Sequence, residues 1–297
     1  MDLFVCSKIL NTIKDINLED YSLNEIIIDS SKKPMGFSCI TKYKNHLIVG
    51  AEYSSCVYSI DISNKNNIEK IFIGTSVSKI VSYDEKILLL CSDINALLVY
   101  DIKEMEIMFE IPIGNYPFSI DVDKENKLIY VSSFLENSIT IIDSDCYKEI
   151  RKIQNIEHPT KIFSYNKRMY ILENKCDNFE RGFLKIISAS KSCNWKTLAR
   201  VEVGRMPIDM IVKEDSIYVI SLMNENIRKI NNILNNENIK CNSEIENVAV
   251  MPSQILSYKD DLFVLDYYTG FVKKINIPSK KVINIARVKE PSAMLIV

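Results

Sequence analysis

The feature that most constrains this chain is a seven-fold internal register. Entry turns, written Gly-x-x-Pro at Gly114 to Pro117 and Gly204 to Pro207, lead into apolar segments at Pro34, Val77, Pro117, Pro159, Pro207, Pro252 and Pro291, between 39 and 48 residues apart. An independent series of polar residues, Asn17, Asp61, Asp101, Asp143, Ser188, Asn231 and Asn276, closes other segments at intervals of 40 to 45 residues. A fixed period of this length is the mark of a repeat architecture, in which one supersecondary unit recurs. Between the marks, hydrophobicity alternates over short runs rich in Ile, Val, Tyr and Phe, which is the strand period. In the clearest module, Ile111 to Ile153, strands are predicted at Phe118 to Val122, Leu128 to Ser132, Ser138 to Ile142 and Glu149 to Ile153. Turns fall at Lys124-Glu125-Asn126 and Asp143-Ser144-Asp145.

A single four-stranded meander would expose two sheet edges and two apolar faces. Packing seven of them around an axis covers the faces and leaves only short edges. The predicted fold is therefore all-β: one domain over 1–297, a seven-bladed β-propeller of four-stranded antiparallel blades. Six blades start near 34, 77, 117, 159, 207 and 252, and the seventh is split between 291–297 and 1–30. The split follows from complementary fragments. Pro291 to Val297 supplies one strand and stops, whereas Asp2-Leu3-Phe4-Val5 repeats Asp261-Leu262-Phe263-Val264 and Ile13 to Asn17 repeats Val272 to Asn276. The C-terminal strand should thus pair with the N-terminal strands and close the ring. Insertions at Asn174 to Gly182 and Asn231 to Asn238 read as extended loops.

Composition removes several function classes. With 47% hydrophobic and 26% charged residues the chain can bury a normal core. Its net charge is -2 and its Lys and Arg residues are interspersed with acids, so no strip would neutralise successive phosphates; nucleic acid is not an expected partner. No run approaches the roughly 20 apolar residues of a membrane helix, and the N-terminus lacks the apolar run of a signal peptide. A soluble, cytoplasmic monomer without membrane insertion is expected. The eight Cys form no Cys-x-x-Cys pair and read as reduced packing residues. The two His, His46 and His158, fall on opposite faces of the expected ring, and no metal and no cofactor are expected. Asp121-x-Asp123 and Asp143-x-Asp145 are expected to organise turns through side-chain bonds to the backbone.

The third module also resembles a known family. Tyr130-Val131-Ser132-Ser133, Asn137, Ile139-Thr140-Ile141-Ile142-Asp143 and Gly114-Asn115-Tyr116-Pro117 are similar to the motifs of the YVTN-type seven-bladed β-propeller repeat. The resemblance implies the fold and a habit of binding; members differ in role, so it implies no one activity. The single Trp, Trp195, is followed by Lys196, which is unlike the Trp-Asp repeat.

In a meander, the inter-blade loops and the loops joining second to third strands share one face, where long and unusual loops collect. That face is the expected binding surface. Its candidate binding residues are Tyr116, Phe134, Phe179, Arg181, Arg205, Tyr267 and Tyr268, aromatic and cationic side chains suited to contact. Ser-His-Asp, phosphate-cradling and dinucleotide motifs are absent. The expected function is a non-enzymatic binding or scaffold propeller that engages a protein or a small ligand. The alternative is a lactonase- or lyase-like enzyme with His158, Arg205, Glu173 and Glu225 as acid, base and anion-holding groups at the mouth of the axial channel.

Overall fold

Among the described residues, alternating apolar and polar residues are realised as 28 strands in seven antiparallel sheets of four. The computed structural model describes residues 1–175, 180–189, 195–231, 233 and 239–297, with 240–242 as backbone only. The inner strands are Phe37–Tyr43, Lys79–Tyr83, Pro117–Asp123, Lys161–Tyr165, Pro207–Lys213, Pro252–Tyr258 and Pro291–Ile296, and each sheet runs outward from one of them. The chain is a seven-bladed β-propeller. In the third module of the sequence the strands are Pro117–Asp123, Leu128–Ser133, Ser138–Asp143 and Lys148–Gln154, as expected to within one residue at either end.

Each core layer lies between two blades. Leu128 and Tyr130 of one sheet pack with Ile162, Met169 and Ile171 of the next, and all five are buried. Second strands, covered on both faces, are buried at nearly every residue, whereas outer strands such as Glu106–Pro112 are exposed at nearly every residue. Ring closure follows the expected register. Leu3 to Cys6 pair with Ile296 to Ala293, while Asp2 pairs with Asn17 as Asp261 pairs with Asn276. Leu3, Val5 and Met294 then complete a core layer with Phe263, Leu265 and Val272 of the neighbouring blade.

The turn chemistry is also as read for the closing residues. The Oδ1 atoms of Asp61, Asp101 and Asp143 accept the backbone N–H two residues on, at 2.8, 2.8 and 2.9 Å. Three expectations are corrected. The start at Pro34 lies three residues early: Phe37 pairs with Ala51 as Pro117 pairs with Ser133. The preceding Gly36 has φ 71°, matching the left-handed residues Tyr116, His158, Met206 and Glu290 before four of the other six inner strands. A left-handed residue thus marks the turn inward in five of the seven blades, the one entered at Phe37 without a proline among them. Asp123 organises its turn by accepting from Asn126 N at 3.0 Å, but Asp121 instead reaches the next blade, accepting from Ser164 N at 2.6 Å and Ser164 Oγ at 2.5 Å. Among the cysteines, Cys6, Cys39, Cys56 and Cys91 are buried free thiols, whereas Cys146 is exposed on a turn; Cys176 and Cys193 lie outside the described residues.

Candidate functional site

Hydrogen bonds tie the two loop sets of one face together in every blade. The N–H groups of Lys8, Tyr53, Phe134, Asn174, Leu222 and Tyr267, just past the second strands, donate to the carbonyls of Glu290, Met35, Tyr116, Glu157, Met206 and Met251 in the inter-blade loops. In the remaining blade Thr75 Oγ1 donates to Asp93 at 2.8 Å and Ser76 N does so at 3.3 Å. Asn95 and Asn137, both left-handed, accept at Oδ1 from Tyr116 N and His158 N, each at 2.8 Å. The face is thus a braced surface.

Braced loops hold apolar tips in the open. Leu10, Tyr53, Ile94, Leu135, Met223 and Tyr268 sit at the same or adjacent loop position in six blades, and their exposure ranges from 36% to 76%. Inside this rim, Tyr116, Phe118 and Phe134 form an aromatic group with ring centroids 5.7 to 6.3 Å apart, and the His158 ring meets Phe134 edge-on at 4.8 Å. Of the residues expected to bind, Tyr116, Phe134, Tyr267 and Tyr268 share this face. Tyr267 is half-buried, its hydroxyl donating to Glu290 at 3.3 Å; burial and that carboxylate raise its pKa. Arg181 is held by Glu202 through Nε at 3.0 Å and Nη2 at 2.5 Å. Arg205 is exposed, with its backbone N–H on Asn224 Oδ1 at 2.7 Å. Phe179 lies outside the described residues.

The four catalytic candidates occupy different settings. Glu173 is 1% exposed, with Arg200 Nε at 2.5 Å and Lys185 Nζ at 3.8 Å, while the Arg200 guanidinium stacks on Phe183 at 3.8 Å and reaches Glu157 at 3.1 Å. Its carboxylate therefore serves an internal ion-pair cluster. His158 belongs to the aromatic group, and Glu225 is exposed, its carbonyl accepting from Val248 N at 2.7 Å. No group of three or more metal-ligating side chains occurs among the described residues.

A site absent from the sequence reading lies on the axis. The strand registers place Cys39, Lys79, Ser119, Lys161, Asp209, Gln254 and Ala293 at one equivalent position on the seven inner strands. All seven line a cavity of about 370 Å³, together with Phe118, Ile208 and Leu222. Most of the ring's polar groups brace the blade seams. Ser119 Oγ, Asp209 Oδ2 and Gln254 Oε1 accept from Ile162 N, Ile255 N and Met294 N of the next strand at 3.2, 3.0 and 2.7 Å. Lys161 Nζ pairs with Asp209 Oδ1 at 2.7 Å. Burial opposes the Lys161 charge, but Asp209 and then Asp121 outweigh it and raise the pKa. Burial pushes the Cys39 thiol up to about 11, so it stays protonated at neutral pH. Lys79 is exposed on the channel wall, the protein around it lowers its pKa, and among the described residues it has no hydrogen bond or ion pair. The signal was present in the sequence, two residues after each turn inward, but Lys79 and Lys161 look like solvent-facing strand residues until the ring is closed.

Comparison with solved structures bears out the architecture. A candidate 6-phosphogluconolactonase from Bacteroides fragilis superposes with a TM-score of 0.78 at 9% identity, covering 100% of this chain and 97% of the other. A functionally unknown protein from Desulfotomaculum acetoxidans gives a TM-score of 0.82 at 13% identity, covering 99% and 98%. Virginiamycin B lyase from Staphylococcus aureus gives 0.66 at 15% identity, covering 84% of each chain. The likeness is one of fold. No protein-family model matches the sequence, and no curated protein matches it.

Proposed function

We propose that this chain is a non-enzymatic binding propeller of the YVTN-type repeat class that engages a protein partner through the face of inter-blade loops. The observation that carries this reading is the rim of exposed apolar side chains, Leu10, Tyr53, Ile94, Leu135, Met223 and Tyr268, on loops braced by hydrogen bonds. Apolar groups presented at matching positions around a ring supply contact area to a flat partner, and rigid loops keep the entropic cost of docking low. The repeat motif around Asn137 supports the family reading, since its side chain holds the next inter-blade loop. An enzymatic reading has less support, because the Glu173 carboxylate is buried against Arg200 and Lys185.

The test is affinity capture from host extract with three baits: wild type, a Tyr53→Ser/Leu135→Ser/Tyr268→Ser rim variant, and a Met105→Ser/Tyr165→Ser control on the opposite face. A protein retained by wild type and control but lost at least 10-fold by the rim variant supports the reading. Equal retention by all three baits, or no specific capture, counts against it.

A further inference from the structure

The axial ring contains two ammonium groups, Lys79 and Lys161, and one carboxylate, Asp209. Lys161 and Asp209 satisfy each other at 2.7 Å, and Asp209 is further held by Ile255 N. Asp121, two residues beyond Ser119 on its strand, is committed to Ser164. One positive charge on the channel wall, that of the exposed Lys79, therefore has no partner among the described residues. Its ring neighbours supply no anion: Cys39 is a protonated thiol, and Ser119 Oγ already accepts from Ile162 N, leaving the hydroxyl hydrogen to donate. An ammonium with a hydroxyl donor on the adjacent strand is suited to receive carboxylate oxygens.

The rest of the cavity has a different character. Phe118, Ile208 and Leu222 line it, and Phe118 continues into the Tyr116 and Phe134 group on the loop face. At about 370 Å³ the space lies near the lower end of small-molecule sites, roughly 300 to 1,000 Å³. We propose that the axial cavity binds a small monocarboxylate with an apolar body, its carboxylate on Lys79 and Ser119 and its body against Phe118, Ile208 and Leu222. This site is distinct from the rim that engages a protein partner, and either assignment can fail without the other.

The experiment is calorimetric titration of the full chain with hexanoate, 1-hexanol, hexylammonium and inorganic phosphate. Wild type should bind one hexanoate at least 10-fold more tightly than 1-hexanol and should not bind hexylammonium. Lys79→Met should lose hexanoate at least 10-fold while leaving 1-hexanol within 2-fold, and Phe118→Ala should weaken both. Lys79→Gln, measured in parallel, guards against a packing artefact, and both Lys79 variants should melt no lower than wild type, because the charge they remove has no partner among the described residues. Failure of wild type to bind hexanoate, or undiminished hexanoate binding by both Lys79 variants, overturns the proposal. Phosphate bound as tightly as hexanoate would overturn it too, by showing an anion site without an apolar half.

Discussion

Lys161 Nζ lies 2.7 Å from Asp209 Oδ1 across the seam between two neighbouring inner strands. The second oxygen of Asp209 accepts from Ile255 N at 3.0 Å, so one side chain joins three blades. Removing it as Asp209→Ala leaves a backbone donor and a channel ammonium unpaired, at a cost of about 2 kcal/mol given that Lys161 still touches water. Lys161→Met in the same background should recover part of the loss, with a coupling of about 1 kcal/mol in a double-mutant cycle followed by urea melts. Because the Lys161 pKa is raised in the folded chain, its contribution should be full below 10.5 and disappear as the pH climbs through the higher folded value.

Lys79 should behave in the opposite sense. Burial, helped by the like charge of Lys161, outweighs Cys39, Asp209 and Glu52 and lowers its pKa. The unfolded chain then holds this proton more firmly than the folded one. The penalty is complete below the lowered folded value and is relieved as the pH rises toward 10.5. Lys79→Met should melt above wild type at pH 7, and the gap should shrink as the pH rises toward 10.5; a gap that stays constant as the pH rises would contradict the assignment.

Ring closure makes a sharp stability expectation. The strand Pro291–Ile296 pairs with Asp2–Ser7 and donates Met294 and Ala293 to two core layers. A chain ending at Glu290 should lose the inner strand of one blade, expose a sheet edge, and either aggregate or melt roughly 10 °C or more below the full chain. Differential scanning calorimetry of the two forms decides it.

Asn137 bears two loads. Its φ of 56° suits Asn better than most residues, and its Oδ1 holds His158 N at 2.8 Å while its carbonyl accepts from Ile156 N at 3.0 Å. Asn137→Gly keeps the backbone conformation and loses the side-chain bond, whereas Asn137→Ala loses both advantages. Chemical denaturation should rank them wild type, Gly, Ala, with the alanine variant down by about 1 to 2 kcal/mol.

Much of the fold was legible because the repeat is written twice, in turns inward and in closing turns. The strand alternation needed no tertiary information, and the match of Asp2 to Val5 with Asp261 to Val264 foretold the closure. Pro34 misled because proline is only one way of starting an inner strand. Gly36 does the same with a left-handed φ, and a Cβ there would lie 2.6 Å from the Tyr53 ring. The loop face was legible from meander geometry, but the fate of each side chain on it was not. Glu173 looked available until its strand placed it against Arg200, which comes from the outer strand of the same blade. The axial ring was illegible for a deeper reason: its seven members are about 40 residues apart in sequence and become neighbours only when the ring closes.

The central claim is that the braced loop face is where this propeller meets its partner. Hydrogen–deuterium exchange on the captured complex tests it most directly, by comparing amide protection in the free and bound chain. The account expects added protection at the loop tips bearing Tyr53, Leu135 and Tyr268 and at the inter-blade loop of Tyr116, with the turns near Met105 and Tyr165 unchanged. Protection confined to those opposite-face turns, or to outer strands such as Glu106–Pro112, would contradict it.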